Sequence, residues 1–543
     1  MALRYSLRAL SPHDESDLLL DEINNHRQSM RSALVADEFQ VPWSEVVEHL
    51  KRLGAKTLLI QRKVLDPDFL EEHQAFYAKQ HRDVSRKCTR VHAFKIECPP
   101  ELPEEATETD RVKEILEFVE KAAQVSDAYL GYVTVRPLRH APVGATVLPP
   151  EAGAQLTVVD AFPMYIAGSR FEVTGAPFLQ QDSAVGACAQ ASMWMALRAM
   201  RRRHGNAAYS PAELTAAATR YLAVDRAYPG RGGLTIGQML DTVRFAGHDP
   251  LHIRLRDPLT PATPAEEVIR MATPYIDSGM PVLCVLTATG GGHVVVALGL
   301  KPVKTKVFNV QDEAKTQGNG TLKFEPASNW IRGFIIHNDA QGPYSRLLSK
   351  ASDGTADYVL EDTCSLVVTL PDGVYTNAKE AQLLAVKCLN WGMSILFAQA
   401  QLPAVDAPEV KVVLRPILCS RNGFRQWARS DPNLDEVVRE RYRTYELPPN
   451  VWVVEVHDAA IYDPTDPKAQ SRYGEIVLDA SADPQHADSH IFTSVLSDLW
   501  PSKAATLLAG VFIAESDDSE GALDCFTIDA GQPGTRILEP WAD

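Results

Sequence analysis

The chain of 543 residues is too long for one ordinary hydrophobic core, and about three domains are expected. Its 45% hydrophobic and 23% charged content is that of a globular protein and excludes a disordered one. With 54 basic against 70 acidic side chains the formal charge is −16, a surface that repels nucleic acid and anionic lipid, so neither is expected as a main partner.

Residues 1–6 carry one arginine and no apolar core of signal-peptide length, and no run of about 18 apolar residues follows, so neither a leader nor a membrane span is expected. The eight cysteines are scattered without a CxxC pair, which argues against a zinc ribbon or a disulfide framework and for reduced thiols in the cytoplasm. Apolar spacing predicts a helix over 43–53, a strand over 56–60, an amphipathic helix over 69–80 and a strand over 91–96. An acidic, proline-bearing loop follows at 99–110, then a helix over 113–123 and a β-rich run over 129–137 stopped by Pro137. No site chemistry is visible in 1–155, and support or regulation is its default role.

The middle segment is richer. Gln180-Gln181-Asp182-Ser183-Ala184-Val185-Gly186-Ala187-Cys188 runs straight into the apolar helical pattern that includes Met193-Trp194-Met195-Ala196-Leu197. A cysteine that opens a helix meets unpaired N–H groups and the positive end of the macrodipole, both of which favour the thiolate, the nucleophilic form. A glutamine just upstream offers a side-chain N–H to an oxyanion. The Arg201-Arg202-Arg203-His204 run suits the C-terminal dipole of that helix.

Ser210-Pro211-Ala212-Glu213 is a capping box with proline at the first helical position. Thr235 leads into a helix that ends before Gly247, and another helix is expected over 263–276. Strands follow at 281–286, 293–300 and 334–337, with a polar loop or hairpin at 301–329. Gly290-Gly291-Gly292-His293 opens one strand and Ile336-His337-Asn338-Asp339 closes another. Strand alternation puts Asp339 on the face of His337, opposite Asn338. Asp339 is therefore the favoured partner of His293, Asn338 its competitor and His337 a second-choice base. Helices first and strands afterwards indicate an α+β domain.

Beyond 346 the pattern is mixed. Strand-like runs over 358–370 are candidates to continue the middle sheet. A helix over 378–397, a strand over 410–413, one charged helix over 424–442 and strands over 451–457 and 475–478 complete the chain. Cys284 reads as a core thiol. His248 and His252 are four apart, but Pro250 rules out a helical metal face. The acidic loops near Asp463, Asp466 and Asp479 lack calcium-loop spacing, and Gly230 to Gly233 lacks the lysine and hydroxyl of a phosphate loop. No metal and no nucleotide or other cofactor is expected.

On Gln181, Cys188, Gly292-His293 and Asp339, with Ser278-Gly279-Met280-Pro281-Val282 before one strand and Asn338-Asp339-Ala340-Gln341-Gly342-Pro343 after another, the middle segment resembles papain-like cysteine peptidases, more closely their C39-like branch. The resemblance implies an α+β architecture with a papain-like domain at 156–345 between mixed α/β domains at 1–155 and 346–543. It implies Cys188 as nucleophile, His293 as base, Asp339 as its orienting partner, Gln181 with the Cys188 N–H as oxyanion hole, and a protein or peptide substrate. Two features depart from that pattern: the Gln-to-Cys spacing is one residue longer, which leaves Gln180 and Asp182 as alternatives to Gln181 at the oxyanion position, and the His293-to-Asp339 separation requires 301–329 to be an insertion. The same triad serves a transglutaminase-like or amidase acyl transfer, and a papain-like scaffold can also be retained for binding alone. These readings, and the oligomeric state, stay open in the sequence.

Overall fold

The computed structural model describes residues 4–24, 41–79, 84–103, 105–138, 141–181, 188–205, 207–221, 233–257, 262–288, 291–315, 321–353, 357–400, 410–432, 434, 436–484, 489–496, 525–528, 536–538 and 540–541. Three sheets organise them. The first holds β1 (Tyr5–Ala9), β2 (Thr57–Val64), β3 (Cys88–Phe94), β4 (Tyr129–Val135), β5 (Val143–Leu148), β6 (Asp160–Ile166) and β7 (Ser169–Phe178) in the order β1-β2-β3-β4-β5-β7-β6, every pair antiparallel. It extends past residue 155, because β7 pairs with β5 and carries β6 along its outer edge.

Helices α1 (Ser16–Asn24), α2 (Val41–Arg52), α3 (Pro67–Ala75) and α4 (Glu108–Gln124) accompany this sheet. Their starts follow from local chemistry. Asp66 caps α3 by accepting the Phe69 N–H, with Pro67 in the first turn, and Thr107 and Asp110 form a reciprocal capping box on α4. Trp43, Val46, Val47 and Leu50 recur at helical spacing and bury one face of α2.

The second sheet carries the middle segment. Helices α5 (Cys188–His204), α6 (Pro211–Ala218) and α7 (Ile236–Phe245) precede β8 (Asp249–Arg254), then α8 (Ala265–Asp277), β9 (Val282–Ala288) and β10 (Gly291–Pro302). The expected capping box at Ser210 forms, and Thr235 makes a second one with Gln238. After an excursion the chain returns as β13 (Ile331–Asn338), β14 (Gly342–Leu348) and β15 (Thr363–Leu370), giving an antiparallel sheet in the order β14-β13-β10-β9-β15-β8. β8 was not anticipated, since Pro250 breaks the strand signal; an edge position tolerates the missing N–H.

The excursion is the 301–329 stretch. It forms the hairpin β11 (Asp312–Lys315) and β12 (Thr321–Pro326), which leaves the second sheet and pairs in parallel with β16 (Val410–Ser420) of the third. That sheet continues through β17 (Asn450–Asp458), β18 (Arg472–Asp479), β19 (His490–Leu496) and β20 (Cys525–Ile528). The single helix expected over 424–442 is instead α10 (Arg421–Ser430) and α11 (Glu436–Thr444), after α9 (Ala378–Ala400). The break falls at Asp431, whose ψ of 113° is extended because Pro432 follows it.

One core joins the second and third sheets through α8 and α9, and another joins the second sheet to α2, α5 and the first sheet. The middle sheet is thus covered on both faces. No helix among the described residues is long and apolar enough to cross a membrane.

Candidate active site

Cys188 is the first residue of α5, as its context requires, and is half-buried. The helix is fixed one turn on, where Ser192 Oγ donates to the Val294 carbonyl of β10 at 2.8 Å. Cys188 therefore lies beside the start of β10, where His293 precedes Val294. The first-sheet domain grips the same helix. Asp68 of α3 meets Arg198 at 2.5 Å and accepts from the Trp194 indole at 3.4 Å. Burial lifts the Asp68 carboxyl to about 6, with Arg198 opposing the shift.

His293 is 6% exposed and has three neighbours that fix its ring. Its Nε2 lies 3.0 Å from Asn338 Oδ1 and 3.6 Å from Asp339 Oδ1, and Tyr358 stacks on the imidazole at 4.9 Å between centroids and 21° between planes. The tautomer follows from one further bond. The Ala340 N–H donates to Asn338 Oδ1 at 3.0 Å, so that atom is an acceptor and His293 Nε2 carries the proton. Nδ1 is left with the lone pair, which is the form a general base needs.

Alternation along β13 does not hold to its end. Pairing with β14 shifts between Ile336 and Asn338, and the chain turns after Asn338, so Asn338 and Asp339 both reach His293 instead of facing opposite ways. Gly342 closes that turn with φ +132°, and an added Cβ would meet the Glu45 side chain of α2 at 2.8 Å. The first-sheet domain thus packs directly on the turn that holds Asp339. Asp339 is fully buried and neither of its carboxylate oxygens has a hydrogen-bond partner among the described residues. Burial raises its carboxyl to about 6, against the pull of His293.

His337 is excluded as a base. Its Nδ1 accepts from the Tyr344 N–H at 3.0 Å and its Nε2 faces the Ala176 carbonyl at 3.3 Å, so both nitrogens are spent. Burial pushes its pKa down to about 3. Gln180 is likewise committed elsewhere: its Oε1 accepts from the Val143 N–H at 3.1 Å, and the buried Arg136 donates to its carbonyl at 2.7 Å. Gln181 is half-buried beside it, while Asp182 to Ala187 and Gly290 lie outside the described residues.

The thiol itself departs from the expectation that the helix start makes it acidic. Burial and then the nearby Asp339 charge push Cys188 up to about 12, although the Val294, Ala189 and Cys188 backbone groups favour the thiolate. The helix start acts in the expected direction and burial outweighs it. Among the described residues no hydrogen bond joins Cys188 to His293.

Tyr358 was not foreseen. It enters from the segment before β15, 65 positions after His293, and no local motif marks it. Burial and then Cys188 raise its phenol, so the ring lies near both the thiol and the imidazole. Cys284 is buried in β9, and His252 lies on β8 against Ser365 at 3.2 Å. Gly230 and Gly232 lie outside the described residues. Among the described residues no group of three His, Cys, Asp or Glu side chains is placed to hold a metal ion.

Comparison with known protein families gives no match, and comparison with curated protein sequences gives none either.

Proposed function

We propose that the protein is a thiol-dependent hydrolase that cleaves a peptide or isopeptide bond through Cys188, His293 and the Asn338–Asp339 pair, on a papain-like domain of the C39-like kind. The observation that carries this reading is the held imidazole: Nε2–H is directed to Asn338 and Asp339, Nδ1 keeps its lone pair, and a helix-opening cysteine lies on the adjoining chain. Geometry of this type is recognised by roles rather than by sequence position.

In the reaction, the Cys188 thiol gives its proton to His293 Nδ1 as sulfur bonds to the substrate carbonyl carbon and the carbonyl electron pair moves to oxygen. Collapse of that oxyanion expels the amine, which takes the proton from Nδ1 and leaves a thioester. Water, giving its proton to Nδ1, attacks the thioester, and the departing thiolate recovers a proton from the imidazolium. The Cys188 N–H and Gln181 are the proposed oxyanion donors. Burial disfavours the resting thiolate, which makes the imidazole's role as proton acceptor the greater.

The second reading is a binding scaffold without turnover, and the thiol pushed up to about 12 is what favours it. Digestion of a mixed peptide library by the full chain, read by mass spectrometry, separates the two. The hydrolase reading expects new termini that vanish in Cys188→Ala and His293→Ala. Peptides captured intact by the wild-type chain support the scaffold.

A further inference from the structure

The second sheet ends on β8, whose outer edge has no partner strand among the described residues. A cavity of about 380 Å³ opens along that edge, within the size range of ligand sites. Four consecutive residues of β8, Leu251 to Arg254, line it. Successive side chains of a strand point to opposite faces, so a space that touches all four lies beside the strand, level with its backbone. Leu251 and Ile253 pack toward the core under α8 and α9, and Met271 and Leu383 extend that apolar floor.

The rim is cationic. Arg254, Arg270 and Lys379 line the cavity together with His252, and no acidic side chain does. Arg270 and Lys379 make no ion pair among the described residues, and Arg254 uses one nitrogen on Asp257 at 2.8 Å. On a chain of formal charge −16 such a lining runs against the overall balance. Lys379 also stands in the first turn of α9, where a cation opposes the helix dipole and is not there for helix stability.

We infer that the open edge of β8 docks an extended acidic peptide segment of a partner protein as an additional strand. Main-chain hydrogen bonds to β8 supply the affinity, apolar side chains at alternate positions enter the Leu251–Ile253 floor, and acidic side chains between them meet Arg254, Arg270 and Lys379. The docked strand lies about 19 Å from β10 by ordinary strand spacing, on the same sheet as His293. The site stands whether or not Cys188 performs chemistry.

The test is fluorescence anisotropy with the full chain and a labelled eight-residue peptide alternating valine and glutamate. Three comparisons accompany it: the same peptide with glutamine for glutamate, an N-methylated version that cannot pair along one edge, and the Arg270→Glu/Lys379→Glu double variant, checked for an unchanged thermal transition. The expected result is saturable binding weakened about tenfold or more in each comparison. No saturation up to about 1 mM peptide overturns the inference. So does equal binding by the N-methylated peptide together with displacement by inorganic phosphate, which identifies a simple anion site instead.

Discussion

Among the described residues, two places bring a histidine against a carboxylate with a hydroxyl or thiol residue close by, and they differ in how far their polar atoms are already committed. In the third sheet, His457 lies 3.0 Å from Ser471 Oγ and 3.2 Å from Glu455 Oε2, distances that a triad search would accept. All three residues are sealed, with Ser471 at 1% exposure. Glu455 is already saturated: Arg415 donates to it at 2.5 Å and the Ile537 N–H at 2.7 Å. Burial opposes its ionisation, and the Arg415 guanidinium outweighs that and holds the carboxyl well below its usual range.

At the other place, among the described residues, the Asp339 carboxylate has no hydrogen-bond partner and only the 3.6 Å approach of His293, one ring nitrogen of His293 has no partner, and the sulfur is half-buried at a helix start. Uncommitted lone pairs and a half-buried sulfur, rather than distances, separate the second group from a structural strut. The strut has its own work: Arg415 also reaches Asp277 of α8 at 2.6 Å and so ties the third sheet to the second.

The largest effect that sharpens this contrast is on turnover. Cys188→Ala is expected to reduce peptide cleavage about 10⁴-fold or to background, whereas Ser471→Ala leaves it unchanged. Initial rates on one cleaved peptide check both. Next comes stability. Arg415→Met leaves Glu455 and Asp277 without their common partner and is expected to cost about 3–5 kcal/mol in urea unfolding. The loss of Ser471 is expected to cost about 1 kcal/mol, since only one hydrogen bond to His457 disappears.

Asn338 offers the next test. Asn338→Ala frees His293 Nε2 and the imidazole tautomer, so kcat is expected to fall about 100-fold with little change in KM, and Asn338→Asp restores an acceptor and much of the rate. The smallest effect is a pH dependence. Burial lowers His337 and His92 to about 3, from an unfolded value near 6.5. Only the unfolded chain binds these protons between those limits, so stability falls as pH drops from about 6.5 toward 3. Asp339 acts with the opposite sign: its carboxyl is raised to about 6, so its contribution is fully present below about 3.8 and is lost as pH rises through about 6. Urea midpoints between pH 7 and 4 are expected to fall for the wild type, and more steeply in Asp339→Asn.

The local signals in the sequence carried the elements whose ends are chemically marked. Ser210 and Thr235 cap α6 and α7 where their motifs stand, and Cys188 opens α5. Periodicity also marked β9, β10, β13 and β15 of the second sheet, and the polar composition of 301–329 left a loop or a hairpin open there, of which the structure has the hairpin. It missed what long-range pairing decides. β6 and β7 complete the first sheet because β7 finds β5, and β8 exists because β15 offers it an edge. At the site, Cys188 and His293 were marked by helix start and glycine run. The joint approach of Asn338 and Asp339 depends on a bulge and a turn, and Tyr358 on where β15 lies, neither of which has a local signature. For the thiol, the helix start is legible in the sequence and acts in the expected direction, whereas the burial that opposes it is not legible there.

Whether Cys188 is a nucleophile served by His293 is decided by covalent trapping of the full chain with a peptidyl vinyl sulfone, followed by intact-mass and peptide-level mass spectrometry near pH 7. The expected result is a single adduct at Cys188, about 100-fold slower to form in His293→Ala, with the buried thiols Cys284 and Cys419 untouched. An adduct that forms at the same rate without His293, or a folded chain whose Cys188 stays unmodified while another cysteine reacts, would contradict it.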